Sequence, residues 1–416
     1  MNQEPSEHTQ ETPGRLERIG QLRAHLTDIM PDAETMWQMQ PTVRRRGLGR
    51  RQGPAAQPVP QTSLVFRGHL AVDSDQAYAA LSERFGPLGY TPLFRREGDY
   101  DVIIALHHVF GSGHGRERHL MRWLPNVVLL VITILSTTLM GAILEQGELL
   151  MDNPVLISGQ PAFILTALRL FFQQPALILT GIPSSLTILS ILGIHELAHY
   201  FAARRHGLET TLPFFIPVPF GFGTFGAIIR IRTPWHNRKA LFDVGLAGPV
   251  AGLLVALPLF FIGLLVSPHQ PPIPDATTLG SPLLLRWIED AVVALRGIPE
   301  GHEIYVNAMT FAAWFGLVVT GFNLLPVGQL DGGHVAHALL GRKGRVLGMM
   351  VMVALLVLGT VAWSGWYIWA AMIFFSGWQH PDPLNTLAPL GKTRTVIGLL
   401  VFVLIALLFP PVPLPI

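Results

Sequence analysis

Residues 182–203 read IPSSLTILSILGIHELAHYFAA, an apolar run long enough to cross a bilayer as one helix. The run contains His195, Glu196 and His199, a His-Glu-x-x-His motif. Positions i and i+4 share a helix face, so both imidazoles can bind one metal ion with Glu196 beside them as general base. Ionisable groups at bilayer depth are costly, and a metal or a polar cavity would explain three together. The stretch therefore predicts a zinc site inside a membrane. The alternative is a polar cluster near a helix end, satisfied by its neighbours.

The composition agrees with a membrane protein. Half of the 416 residues are hydrophobic and 13% are charged, about half the charged share of an average soluble protein. Cysteine is absent, so a metal must be bound by histidine and carboxylate rather than by thiolate. We predict a polytopic α-helical membrane protein, with about six to eight spans and a small N-terminal α+β cytoplasmic domain.

Three regions are expected along the chain. Residues 1–61 form a flexible basic N-terminal segment, 62–118 a small α+β cytoplasmic domain, and 119–416 a membrane-embedded domain. The polar, acidic N-terminus does not resemble a signal or transit peptide, so the mature chain is expected to begin near Met1. The arginine run between Arg44 and Arg51 indicates a solvated linker or a contact with anionic lipid. Nucleic-acid binding is not expected, because no recognisable fold surrounds these arginines.

The second region alternates between strand and helix patterns. Strands are predicted at 63–72, 90–95 and 101–110, and a helix at 74–85. A short helix is also expected earlier in the chain, at 15–30. The region 62–118 is therefore interpreted as a regulatory or docking domain.

Seven apolar runs in the third region are candidate spans. They are 124–147, 182–204, 240–266, 305–325, 345–362, 364–378 and 393–410. The segment 161–180 is interrupted by polar residues and proline, which favours a partly buried or interfacial position, although its status stays open. Basic residues flank alternate ends of the spans, which places the N-terminus and the motif end of the second span in the cytoplasm. Trp363, Trp366 and Trp369 are expected to lie in an interfacial belt.

A catalytic zinc site usually has three protein ligands, so a third must come from elsewhere in the chain. The best candidate is Asp331, at the end of the fourth predicted span. Pro326, Gly328 and the two glycines after Asp331 break helical structure and allow a polar loop to turn at membrane depth. His334 and His337 follow on a predicted helix, either as partners of the site or as packing residues.

Three motifs in this order resemble the site-2 proteases, which are intramembrane zinc metalloproteases. They are His195-Glu-x-x-His199, Ala247-Gly248-Pro249 with Gly252, and Asn323-x-x-Pro326 with Asp331-Gly332. The resemblance covers about residues 120–416 and is strongest to the branch of plant chloroplast and cyanobacterial members. It implies His195, His199 and Asp331 as zinc ligands and Glu196 as the catalytic residue. It also implies that Asn323 binds the substrate backbone, although tying down a broken helix is an alternative role. The loop 267–304 is too short for the PDZ domain of many bacterial members.

Cleavage of a transmembrane helix requires local unwinding, because its carbonyls are already bonded within the helix. Residues 212–232 mix proline and glycine, including Gly223 and Gly226, and then alternate like an edge strand. Such a strand can capture an extended peptide by β-augmentation. The alternative is a hairpin that plugs the active-site cavity.

The expected function is cleavage of the transmembrane segments of membrane-anchored, regulatory proteins by zinc-activated water. A metal transporter and a non-catalytic zinc-containing scaffold are the alternatives, and intact Glu196 disfavours both. The expected location is a bacterial inner membrane, with a plastid membrane as the alternative. The sequence does not identify the substrate, the signal sensed by the second region or the oligomeric state.

Overall fold

A computed structural model describes residues 13–39, 62–107, 123–146, 169, 171–272, 279–377, 380–409 and 412. The chain divides into two compact units. Unit 1 contains 1–115, 235–238 and 382–389, and unit 2 contains 116–234, 239–381 and 390–416. The basic run at 44–51 and most of the segment 161–170 lie outside the described residues.

Unit 1 is built on a four-stranded antiparallel sheet with the strand order β1-β2-β4-β3. Its elements are α1 (Pro13–Ala24), β1 (Glu34–Met39), β2 (Thr62–Gly68), α2 (Ser74–Phe85), β3 (Tyr90–Glu97) and β4 (Tyr100–His107). The predicted helix 74–85 is confirmed, and the three predicted strands are present with shifted ends. Strand β1 was not predicted, because it pairs with β2 across a long stretch of chain and has no alternating pattern of its own.

Side chains from α1, α2 and one face of the sheet form the core of unit 1. Leu22, Leu81, Phe66, Phe94 and Ile103 are fully buried in it. Helix α2 begins at an N-cap in which the Asp73 carboxylate accepts a hydrogen bond from the backbone N–H of Asp75. The helix therefore starts where its apolar face first meets the sheet.

Two distant parts of the chain complete unit 1 at the outer edge of β3. The backbone N–H of Phe94 donates to the carbonyl of Leu384 at 2.7 Å, and the Arg95 guanidinium donates to the carbonyl of Pro383 at 2.8 Å. The backbone N–H of Leu384 donates in turn to the carbonyl of Trp235 at 2.8 Å. An edge strand exposes unpaired backbone groups, and these segments pair part of that edge.

Unit 2 is mostly helical. Its helices are α3 (Leu124–Glu145), α4 (Ile182–Arg205), α5 (Arg238–Val266), α6 (Leu283–Arg296), α7 (Ala308–Asn323), α8 (Asp331–Leu340), α9 (Lys343–Val361), α10 (Gly365–Gly377) and α11 (Lys392–Leu408). Two small antiparallel pairs accompany them, β5 (Phe214–Pro217) with β6 (Thr224–Ile228) and β7 (His269–Gln270) with β8 (Glu303–Ile304). Helix α5 continues through Pro249 and Pro258.

Within the described ranges, four helices are long and apolar enough to cross a membrane. They are 124–145, 175–205, 238–266 and 343–361, and each coincides with a predicted span. Helices α7 and α10 are apolar but shorter. The 3₁₀ helix Pro175–Gly181 leads directly into α4. The last part of the segment 161–180, whose position the sequence did not decide, therefore extends the second span.

The core of unit 2 surrounds α7, most of whose residues are buried. Trp366 is fully buried in this core, stacks on Phe409 at 4.9 Å between ring centroids, and meets the edge of Phe322. The expectation of an interfacial belt is therefore wrong for Trp366. Its indole packs between α7 and α11 because the Phe322 and Phe409 rings are within reach.

Candidate metal centre

Three side chains from two helices meet inside unit 2. Helix α4 carries His195 and His199 one turn apart, and Asp331 begins α8. The Nε2 atoms of the two histidines are 3.1 Å apart, and the Asp331 carboxylate oxygens lie 3.2 Å from Nε2 of His195 and 3.3 Å from Nε2 of His199. The two histidines are only 5% and 6% exposed.

These distances fit a shared metal ion. Zinc binds imidazole nitrogen and carboxylate oxygen at about 2.0–2.2 Å, and ligands on a tetrahedron of that size lie about 3.3 Å apart. Within the described residues, His195, His199 and Asp331 are the group of histidines and carboxylates whose ligand atoms come close enough to hold an ion. The donor set of two nitrogens and one carboxylate leaves one tetrahedral position for water or substrate.

Helix α5 fixes the orientation of the second histidine. The Nδ1–H of His199 donates to the carbonyl of Val244 at 2.7 Å. This bond leaves the Nε2 lone pair directed at His195 and Asp331. Metal-binding histidines typically use their second nitrogen in this way, which sets the tautomer and the ring orientation.

Glycines on α5 make the close approach possible. A Cβ atom added to Gly248 would collide with the imidazole of His199, and one added to Gly252 would lie 3.2 Å from Nδ1 of His195. Gly248 and Gly252 are four residues apart, as are the two histidines, so each glycine lies opposite one imidazole ring. Gly245 extends the same face, where an added Cβ would lie 3.1 Å from the carbonyl oxygen of Asp331. The glycine motif thus provides room for the ligands.

The loop before α8 is equally compact. A Cβ on Gly332 would collide with the carbonyl of Leu324, and one on Gly333 with the carbonyl of Gly328. Gly328 adopts φ +58°, a left-handed conformation that favours glycine. The chain can therefore reverse between α7 and α8 within a few residues and place Asp331 against α4. The predicted break at this position is confirmed.

Glu196 lies beside the ligands and is partly buried. Its carboxyl group interacts with the backbone of Ile229, the residue that follows strand β6. The predicted edge strand is shorter than expected, because after Ile228 the chain leaves β6 and bridges back at Ile231 to Thr210. Glu196 and the β5–β6 hairpin are nevertheless adjacent.

The hairpin is held against α3. Asn126 donates from its amide to the carbonyls of Leu212 and Pro213, at 3.0 and 2.9 Å. The Ser136 hydroxyl donates to the carbonyl of Gly223 at 2.7 Å. Gly223 has φ +80°, and an added Cβ would lie 2.5 Å from the backbone of Ser136, so this glycine permits the contact with α3.

The other two predicted substrate-binding residues have different surroundings. Gly226 lies in β6 with φ +102°, and nothing would lie within 4 Å of an added Cβ. Asn323 is the last residue of α7 and is half-buried. In the part of the chain that the structure describes, its amide has no hydrogen bond to another protein group. Gly226 therefore has open space beside it, and Asn323 has an amide available for a hydrogen bond.

Sequence reasoning missed an ion-pair cluster at one end of α5. Asp243 accepts two hydrogen bonds from the Arg394 guanidinium, both at 2.7 Å, and lies 2.9 Å from Nε2 of His206. The cluster joins α5 to α11 and to the end of α4. A carboxylate within an otherwise apolar run was the available signal, since such groups almost always have a partner.

The chain has apolar helices of membrane length and a buried site of two histidines and one aspartate. These features define the class of helical membrane proteins with an internal metal centre. Residues 184–359 match the model of the protein family described as peptidase family M50. The resemblance to site-2 proteases is confirmed.

Several relatives of this chain are plant proteins. The chain is 34% identical over 251 residues to "Probable zinc metalloprotease EGY2, chloroplastic" of Arabidopsis thaliana, covering 58% of this chain and 44% of that protein. It is 29% identical over 238 residues to the protein named EGY1 in Oryza sativa subsp. japonica, covering 56% and 41%. The chain thus spans less than half the length of these relatives. No solved structure matches it.

Proposed function

We propose that this chain is an intramembrane zinc metalloprotease that cleaves the transmembrane segments of membrane-anchored, regulatory proteins. The observation that carries the proposal is the meeting of three side chains among apolar helices, beside Glu196. The Nε2 atoms of His195 and His199 are 3.1 Å apart, and each has a different oxygen of the Asp331 carboxylate within 3.3 Å. The relatives' printed names describe zinc metalloproteases, which agrees with this donor set.

His195, His199 and Asp331 would hold the zinc ion. A bound zinc ion supplies Lewis acidity to a peptide carbonyl and lowers the pKa of a water molecule towards neutrality. Glu196 accepts the proton of the attacking water and later passes a proton to the leaving amine. The Val244 carbonyl keeps a proton on Nδ1 of His199, which preserves Nε2 as a ligand throughout the reaction.

The β5–β6 hairpin and the end of α7 are the proposed substrate-binding elements. Phe225 and Ile228 of β6 are more than half exposed, and Ile229 next to them reaches Glu196. An extended peptide added along β6 at Gly226 would therefore run towards the catalytic glutamate. Gly223 contributes by seating the hairpin on α3. The Asn323 amide would bond the backbone of the unwound substrate.

We also propose that seven helices cross the bilayer, α3, α4, α5, α7, α9, α10 and α11. Helix α7 has 16 residues and is about 24 Å long, shorter than the apolar layer. Its burial among other helices favours a central span that does not meet lipid along its whole length. Residues 62–118 as a cytoplasmic domain and 119–416 as the membrane domain remain proposals. The expected flexible segment 1–61 is corrected in part, because α1 and β1 lie within it and belong to the folded unit 1.

Basic residues support the proposed orientation. Arg204 and Arg205 end α4, and Lys343 with Arg345 begins α9. By the positive-inside rule, these basic residues favour a cytoplasmic position for these helix ends, for the metal centre's end of α4 and for the N-terminus. We retain a bacterial inner membrane as the proposed location. The plastid location printed in the relatives' names is the alternative, and fractionation of the source cells separates the two.

Zinc analysis of the purified protein tests the site. We expect about one zinc per chain in the wild type, the same content in Glu196→Gln, and loss of zinc in His199→Asn. Cleavage should be lost in both variants, because one lacks the base and the other the metal. A Glu196→Gln variant that still cleaves would contradict the proposal. If Glu196→Gln transports metal ions as fast as the wild type, a transporter is favoured. If it still forms the same protein complex as the wild type, a scaffold is favoured.

A further inference from the structure

A second group of three histidines lies near the candidate metal centre, and two of them are on the helix that carries Asp331. His334 and His337 belong to α8, and His380 lies in the loop between α10 and α11. Nδ1 of His334 is 2.7 Å from Nε2 of His380, and the rings of His337 and His380 stack with centroids 4.7 Å apart. His337 and His380 are 4% and 5% exposed.

The geometry is that of a hydrogen-bond relay and not of a second metal site. Two nitrogens bound to one ion lie about 3.3 Å apart, whereas 2.7 Å is a hydrogen-bond distance. Nδ1 of His380 is also 2.6 Å from the carbonyl oxygen of Pro381, which can only accept a hydrogen bond. His380 therefore donates from Nδ1 to Pro381, and its Nε2 accepts the Nδ1–H of His334.

The relay contacts the first turn of α8. Helix α8 has no side-chain cap hydrogen bond at Leu330, and its first turn is closed by the backbone N–H of His334, which donates to the carbonyl of Leu330 at 3.0 Å. His334 lies one turn later and is placed between the loop at His380 and the glycine face of α5. An added Cβ on Gly245 would lie 2.6 Å from Cβ of His334 and 3.1 Å from the carbonyl of Asp331. The same glycine thus contacts the ligand's backbone and the end of the relay.

We propose that His380 is a positioning residue for the metal ligand Asp331 and acts through His334. Asp331 must reach the Nε2 atoms of two histidines on another helix at once, at 3.2 and 3.3 Å. A shift of α8 by a fraction of an ångström breaks one of these contacts, and errors of about 1 Å at a reacting centre are costly. The inference rests on the proposed zinc site.

Cobalt(II) titration of the metal-free full-length protein in detergent tests the proposal, because bound Co²⁺ gives visible absorption that reports affinity and coordination independently of cleavage. We expect His380→Ala to weaken Co²⁺ binding about tenfold, as for other residues that orient metal ligands. His334→Ala should weaken it equally, and the double variant no further, because the two residues act in series.

A pair of conservative variants separates positioning from packing. In His380→Gln the side-chain amide reaches the place of Nε2 and can accept from His334, so binding should stay within about threefold of the wild type. In His380→Asn the amide reaches only the place of Nδ1, and binding should resemble His380→Ala. If His380→Ala does not fold, these two variants still distinguish a positioning role of His380 from a packing role.

The matched control is His302→Ala. His302 also pairs with another histidine, at 3.3 Å between the Nδ1 atoms of His302 and His269, in a separate loop of unit 2. The His302→Ala variant should bind Co²⁺ with the same affinity as the wild type. Equal Co²⁺ affinities in wild type, His380→Asn and His380→Gln would overturn the positioning role and leave the proposed function intact. Failure of the wild type to bind Co²⁺ at a site removed by His199→Asn would instead refute the proposed metal site.

Discussion

Gly248 allows α5 to approach the proposed metal ligands closely. The ring of His199 occupies the space where any other side chain would place its Cβ. We expect Gly248→Ala to cost about 1–3 kcal/mol through overpacking, and to weaken metal binding because His199 must turn away from Asp331. Zinc content and thermal unfolding of the purified protein measure the two effects.

Gly193→Ala is the matched control, since it is another glycine in a helix interior of the same unit. Its added Cβ would meet only the ring of Phe215, at an ordinary 3.6 Å. Alanine is the better helix former by up to about 1 kcal/mol, so this variant should be neutral or slightly stabilising. Equal losses of zinc in both variants would show that glycine replacement acts through the helices in general.

Residue patterns allowed much of the site to be predicted. The spacing of His195 and His199 follows directly from helix geometry, and Asp331 follows from the need for a third ligand after a helix break. The acceptor on Val244 and the interaction of Glu196 with Ile229 could not be predicted, because they involve backbone groups of distant residues. A backbone carbonyl has no sequence signature.

At the scale of elements, the Asp243 cluster joins three helices at one end of the bundle. Asp243 and Arg394 are 28% and 35% exposed, so solvent screens part of their attraction. Removing the guanidinium in Arg394→Gln leaves Asp243 with His206 alone, and we expect a loss of about 1–2 kcal/mol. Thermal unfolding in detergent measures it.

Lys392→Gln serves as the control, because Lys392 lies in the same turn of α11 and is exposed. It removes the same charge without breaking the bidentate bond. If both variants unfold at the same temperature, the cluster does not contribute to the stability of the bundle.

Element lengths were predicted better than element surroundings. The apolar runs fixed α3, α4, α5 and α9 within a few residues, because about 20 apolar residues leave few alternatives. The prediction of an interfacial position for Trp366 was wrong, because an amphipathic ring is suited both to an interface and to a core, and the sequence alone does not distinguish the two. Strand β1 was missed because its partner, β2, is distant in sequence.

At the scale of the whole molecule, unit 1 depends on chain segments far from its own sheet. Asn385 is fully buried, donates from its amide to the carbonyl of Ser74 at 3.0 Å, and accepts from the backbone N–H of Leu387 at 3.0 Å. We expect Asn385→Ala to destabilise unit 1 by about 1–3 kcal/mol, since it leaves buried backbone groups without partners.

Hydrogen exchange checks this expectation. Peptides that cover β3, where the Phe94 N–H is bonded to Leu384, should exchange faster in Asn385→Ala. Glu97→Gln, an exposed change on the same strand, should leave exchange unchanged. Protection of β3 that is equal in all three proteins would mean that the segment 382–389 does not support the sheet. No periodicity in the sequence could predict this pairing, because it joins residues about 290 positions apart.

We propose above all that Glu196 is the base of a zinc-dependent cleavage inside the membrane. The most direct measurement compares new protein termini in membranes that contain either the wild type or Glu196→Gln, with zinc content verified in both. We predict termini inside hydrophobic segments that appear only with the wild type. Identical termini in the two membranes, with zinc bound in both proteins, would contradict the account.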